Sequence, residues 1–218
     1  MNELLEKKIK NGREYRKMAM DVAQSDDYWV EGYATTFNEP YHLYFYDEDG
    51  HEVKEQVDRN AFAETDMSDV IFQYDHEGRV FARLSNDTLE LKTDDHGLFV
   101  RAYLGGTEMG RNLYEEIKGG YTNKMSFGFT VNEDEFKEEA DRNYLRTIRR
   151  IGKLYDVSAV SLPQNDMTEI SARSHCDGAI AEIESERIRA AEDLRIKAEK
   201  MEHLEAKLKA LKGETNGN

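Results

Sequence analysis

The sequence predicts an α+β fold, mainly β: a closed antiparallel β-barrel flanked by helices, followed by a long C-terminal amphipathic helix. Three observations lead there. From Arg13 to about Leu104 the chain alternates apolar and polar residues, with aromatic and β-branched side chains between clusters of Gly, Asn and Asp. Two acidic turns, Asp47-Glu48-Asp49-Gly50 and Asp94-Asp95-His96-Gly97, each end on a glycine that can take positive φ, as hairpins require. After Gly178 the period changes. Leu194, Met201 and Leu208 recur every seven residues, and Leu204 and Leu211 repeat the interval.

Taken in order, the period-two stretches predict strands at 28–37, 43–46, 53–57, 70–74, 80–84, 88–92 and 98–104. Asp58 can cap a short helix over 60–64. Thr107 can cap a longer one that carries Met109, Leu113 and Ile117 on one face and stops at Gly119-Gly120. Two further strands are expected at 124–132 and 154–162, with a charged ribbon and 144–151 between them, and this number of strands suits a small barrel better than a sandwich. The organisation is then an N-terminal segment over 1–27 that could hold a first strand, a barrel domain over 28–170, a linker over 171–178 and a helical tail over 179–218. The linker, Ser171-Ala172-Arg173-Ser174-His175-Cys176-Asp177-Gly178, is small and polar enough to be exposed and cleavable. The seam of the tail is imperfect, because Lys197 and Glu205 interrupt the apolar series, so a strict coiled coil does not follow.

Composition narrows the partners. A formal net charge of -15, spread along the chain, disfavours nucleic acid, whose phosphates need clustered Lys and Arg. A basic or neutral protein partner fits better. The single cysteine, Cys176, excludes an internal disulfide framework and a CxxC metal site, and suits a reducing compartment, for which the cytoplasm is the default. The charged start, MNELLEKKIKNGREYRK, and the lack of a run of about twenty apolar residues predict neither export nor a membrane span.

One strand has the pattern a nucleophile needs. In Met125-Ser126-Phe127-Gly128-Phe129-Thr130-Val131 the large apolar residues share one face, leaving Ser126, Gly128 and Thr130 on the other. A fixed strand would hold the Ser126 hydroxyl while Gly128 lets a substrate backbone come close. The structural alternative is a serine on a half-buried strand facing water. A serine needs a base beside it. Of six histidines, His42 and His51 belong to a hairpin, His96 to a turn, His175 to the linker and His203 to the terminal helix. His76 is left, where the chain leaves the strand 70–74, either as a reactive group at a strand end or as a solvated loop residue. Asp156 places one carboxylate inside the otherwise apolar Leu154-Tyr155-Asp156-Val157-Ser158-Ala159-Val160, where it must be partnered if buried. It could orient an imidazole, or simply bond Ser158 or a nearby arginine.

Six segments in order resemble the tailed-phage prohead proteases: Glu31-Gly32-Tyr33-Ala34-Thr35-Thr36-Phe37-Asn38, Asp58-Arg59-Asn60-Ala61-Phe62, Asp75-His76, Asp95-His96-Gly97-Leu98, Met125-Ser126-Phe127-Gly128-Phe129 and Asp156-Val157-Ser158. The resemblance covers about 30–170 and implies a fold similar to the herpesvirus assemblin proteases. Carried over by motif, His76 is the general base and Ser126 the nucleophile. The third member in the herpesvirus relatives is a second histidine. None stands in the strand after Ser126, so the role passes to Asp156, with His175 as a substitute. The resemblance further implies that the substrate is the scaffolding segment of the major capsid protein or a separate scaffold protein. It places the enzyme in the host cytoplasm, inside the assembling procapsid, implies self-cleavage, and allows a homo-oligomer. No metal or organic cofactor is implied, and oxyanion-binding amides are expected near Arg149-Arg150 and Pro163.

Two other readings belong to different classes. A noncatalytic scaffold or capsid-assembly protein would keep the barrel and the tail without the activity. A cysteine hydrolase would need Cys176 to act with its neighbour His175, which cannot easily fold back on it.

Overall fold

The computed structural model describes residues 12–19, 23–24, 27–47, 50–160 and 166–214. The strands are β1 (Glu14–Ala19), β2 (Ala23–Gln24), β3 (Trp29–Thr36), β4 (Tyr41–Phe45), β5 (Glu52–Val57), β6 (Ile71–Tyr74), β7 (Glu77–Arg83), β8 (Leu89–Thr93), β9 (Gly97–Tyr103), β10 (Lys124–Glu138) and β11 (Tyr144–Val160). Helix α1 (Glu108–Lys118) precedes β10, and α2 (Asp166–Glu214) follows β11. The chain divides into two compact units, Met1–His175 and Cys176–Asn218.

The first unit is organised by the β10–β11 hairpin. Its antiparallel register runs from Lys124↔Val160 to Glu138↔Tyr144, with bulges around 128–134 that bend the ribbon. β1 pairs with the free side of β10. On its other side β11 is shared: its first half pairs in parallel with β5 and its second half with β6. Between these partners the segment 58–66 takes over the edge. The Ile148 carbonyl accepts from the Asp58 amide, the Ile151 amide donates to the Ala61 carbonyl, and the Leu154 amide donates to the Asp66 carbonyl. β4 completes one branch and β7 the other. A second antiparallel sheet has the order β2-β3-β9-β8. Val30 and Ala34 of β3, Leu98, Val100 and Ala102 of β9, Phe127 and Phe129 of β10 and Val157 of β11 are buried in one core.

The sheets are open, so the expected closed barrel is not formed. Closure needs a continuous ladder, and among the described residues the two sheets are joined only by an isolated bridge, Phe37↔Val57. The fork on β11 sends the larger sheet into two branches instead of round on itself. The hairpin is also longer than the expected strands 124–132 and 154–162. Its charged part is held by cross-strand pairs, Arg146 with Asp134, Arg149 with Glu135 and Arg150 with Glu133.

Of three local expectations, two change and one holds. The short helix over 60–64 is a run of turns, in which Asp58 Oδ1 accepts from the Asn60 amide at 2.8 Å. α1 forms under its Thr107 cap, whose hydroxyl accepts from the Gly110 amide at 3.0 Å. It buries Leu113, Tyr114 and Ile117 and leaves Met109 half exposed. The expected linker over 171–178 lies within α2, whose 49 residues run without a break. In the second unit every described side chain from Glu186 to Lys207 is exposed, including Leu194, Met201 and Leu204 of the apolar seam. The side chains of Leu208 and Leu211, and the residues Glu48 and Asp49 of the first predicted turn, lie outside the described residues. Among the described residues no helix is long and apolar enough to cross a membrane.

β1 is fastened by buried charge. Arg146, fully enclosed, donates to Glu14 Oε2 at 2.7 Å, to Glu55 Oε2 at 2.8 Å and to Asp134 Oδ2 at 2.6 Å. Arg16 donates to Glu55 Oε2 at 2.8 Å and also pairs with Glu14. Such groups tolerate burial only because each is matched. Burial pushes the Glu14 carboxyl up, but the Arg16 and Arg146 guanidiniums outweigh it and hold it at about 2. A carboxyl whose folded pKa lies below its ordinary 4.5 contributes stability that is complete above that pH and is lost as pH falls towards about 2. Thermal unfolding followed across this window should therefore show a steep acid loss in the wild type. Glu14→Gln should lack that component and be less stable at neutral pH by about 3 kcal/mol, since it leaves buried guanidinium under-matched.

Candidate active site

Residues directly opposed in a ladder project from the same face of a sheet. Across β1, β10, β11 and β6 the register opposes Tyr15 to Gly128, Gly128 to Asp156, Ser126 to Ser158 and Ser158 to Gln73. These residues therefore share the face of the larger sheet that looks away from Met125, Phe127 and Phe129. The hairpin between β6 and β7 brings His76 onto the same face. Tyr74 pairs with Glu77, so Asp75 and His76 are the two turn residues, with φ of 48° and 59°. Two left-handed residues match the twist of the strands, but without glycine each costs about 1–2 kcal/mol.

The geometry is that of a relay. Ser126 Oγ lies 2.6 Å from His76 Nε2, and His76 Nδ1 is hydrogen bonded to Asp156 Oδ1. Asp156, as a carboxylate acceptor, assigns the imidazole proton to Nδ1 and leaves the Nε2 lone pair towards Ser126. Ser158 donates to the same Asp156 oxygen at 3.2 Å. Ser126 and Asp156 are closed off from solvent, while His76 is 7% exposed. The structural alternative for Asp156, a bond to Ser158, is thus present together with the bond to His76.

Tyr15 supports the imidazole from the side, its ring meeting that of His76 edge to face at 4.5 Å. Burial, and then the charge of Asp156, push its hydroxyl up to about 12, so it stays neutral. This explains Gly128. A Cβ there would stand 2.6 Å from Asp156 Oδ2 and 2.6 Å from Tyr15 Cε1. With β1 in place the space beside Gly128 is filled by the protein's own Asp156 and Tyr15, where the sequence led us to expect a substrate backbone. The second contact missed by the sequence reading is a backbone one: the Arg16 carbonyl stands 2.7 Å from Ser126 Oγ, where it competes with His76 Nε2 for the one hydroxyl proton of Ser126. No side-chain pattern could have announced it. A cleft of about 490 Å³ opens beside His76 and Asp156, with Arg13 stacked 3.5 Å over the Tyr155 ring at its wall.

Other candidates lie elsewhere. His175 bonds Asp134 at 3.0 Å, about 25 Å along β10 from Ser126. Cys176 is buried. Arg149 and Arg150 sit on β11 in ion pairs with Asp58, Glu135, Glu64 and Glu133, about 20 Å along the strand from Asp156. They do not border the site, and Pro163 lies outside the described residues. Among the described residues no cluster of His, Cys, Asp and Glu is arranged to hold a metal ion.

A family model described as caudovirus prohead serine protease matches residues 14–179. Among solved structures, that of the capsid assembly protease gp21 of bacteriophage T4 is similar at 10% identity, over 69% of this chain and 99% of that one, with a TM-score of 0.43. No curated protein matches.

The close packing over Gly128 yields a direct check. Gly128→Ala should lower stability by about 1–3 kcal/mol through overpacking, measured by denaturant unfolding. Part of that loss should vanish in a Tyr15→Ala background, because one of the two clashing groups is then gone.

Proposed function

The chain belongs to the caudovirus prohead serine protease family, and from that premise we propose that it is a serine endopeptidase of capsid maturation. Its substrate is the scaffolding segment of the major capsid protein or a separate scaffold protein, cut inside the assembling procapsid in the host cell, with self-cleavage as part of the same programme. The observation that carries this reading is the continuous hydrogen-bonded path from Asp156 through His76 to Ser126 Oγ.

In this reading His76 Nε2 takes the Ser126 proton as Oγ attacks the scissile carbonyl carbon. Asp156 holds Nδ1–H and stabilises the imidazolium that forms. The tetrahedral intermediate collapses as His76 hands the proton to the leaving amine. Water then attacks the acyl enzyme by the same route, with His76 again taking and returning the proton. Proton transfer of this kind contributes roughly 10²–10⁴ in rate. No metal or organic cofactor enters any step.

A second reading, a noncatalytic assembly protein of the same fold, is favoured by one observation: Ser126 is 0% exposed. Coexpression with the capsid protein, followed by intact-mass measurement, separates the two. Wild type should yield trimmed capsid protein and a shortened protease, and Ser126→Ala neither. Equal cleavage in both would end the enzyme reading. Asp156→Asn should retain the fold and lower kcat by about 10³–10⁴, because the amide no longer holds the required tautomer.

A further inference from the structure

The enclosure of Ser126 has a specific cause. A nucleophile of acyl transfer has to meet a peptide carbonyl of an extended chain, and Ser126 Oγ already meets one: the carbonyl of Arg16, at 2.7 Å, on an extended strand. β1 lies antiparallel along β10 with Lys17 opposite Ser126, from Glu14↔Phe129 to Ala19↔Lys124. Among the described residues it is the last strand on this side of the sheet. An extended peptide binds such an edge by main-chain pairing, with alternate side chains supplying specificity. β1 takes up those main-chain groups itself.

We propose that Glu14–Ala19 is an internal occupant of the active site, standing where a substrate strand pairs with β10 and presenting the Arg16–Lys17 peptide to Ser126, so that turnover requires β1 to leave β10. The inference rests on the serine protease reading above. The occupant is held and not cut, because a hydroxyl that donates its one proton to the Arg16 carbonyl oxygen is not handing it to His76 Nε2. Two attachments retain it. On one face Glu14 and Arg16 are locked to Glu55 and Arg146, and on the other Tyr15 packs on His76. Both attachments lie on the alternating side chains of one short strand, so they are made or lost together. The same six residues thus cover the nucleophile and brace the base.

The test locks and unlocks β1 in the full chain. Ala19 and Lys124 are directly opposed, and antiparallel partners stand close enough for a disulfide. In Ala19→Cys/Lys124→Cys a fluorophosphonate reports access to Ser126, forming an Oγ–P bond with loss of fluoride while His76 accepts the proton. Intact mass reads the adduct, and Ser126→Ala controls for its site. The oxidised form should label at least tenfold more slowly than the same chain after reduction. Met18→Pro removes an amide that strand alternation turns towards β10, as it does the Arg16 carbonyl, without touching Asp156, His76 or Ser126, and should label at least tenfold faster than wild type. Equal labelling of the oxidised and reduced forms would overturn the proposal and leave the protease reading standing. No labelling in any form, Met18→Pro included, would remove both. If Met18→Pro fails to fold by circular dichroism, the redox pair alone decides.

Discussion

The register of β10 against β11 is the constraint from which the rest follows. Opposing Ser126 to Ser158 and Gly128 to Asp156 sets a hydroxyl and a carboxylate on one face, and puts Phe127 and Val157 in the core on the other. A slip by one residue would exchange the faces, burying the polar groups among the apolar ones and exposing the phenylalanines. The hydrophobic effect therefore holds the polar site in register without touching it. β6 adds His76 to this frame because it pairs with the same stretch of β11 that carries Asp156. Base and carboxylate come from neighbouring strands of one ladder, which limits how far either can drift.

Charge does in the lower half of the hairpin what apolar packing does in the upper half. Beyond the bulges, β10 and β11 carry Asp134, Glu135, Arg146 and Arg149, and their pairing holds two ribbons that bury little apolar surface on their outer side. The fully buried Arg146 goes further, tying together β1, β5 and β10. A buried pair of this kind is weak evidence for stability, because desolvation opposes it. Its effect is to make one arrangement of three strands much better than any other.

Much of the site was legible in the sequence because it depends on local pattern. Alternation around Ser126, the position of His76 at a strand end and the lone acid in an apolar strand are each readable from a few residues, and the structure brings the three together. The Thr107 cap was readable for the same reason. What was not legible depends on pairing between distant strands. Period two shows that a strand exists but not which edge it meets, so the fork on β11 and the open sheets could not be foreseen. Strands recognised by apolarity end too early where charge holds the ladder, as at Glu133–Arg150. Small polar residues over 171–178 suggested a break, yet nothing in them forbids a helix that is already running on both sides. The role of Gly128 was invisible because it is set by Tyr15, more than a hundred residues away.

The turn that carries His76 has a consequence for how such a chain can change over generations. Asp75 and His76 both adopt a conformation that Asn-Gly would enter with far less strain. The residue that would most ease the fold at this point is therefore one that has no imidazole. Selection for robustness and selection for chemistry pull against each other at a single codon, and descendants that have lost the need to cut should drift first at this tip while the strands around it stay as they are.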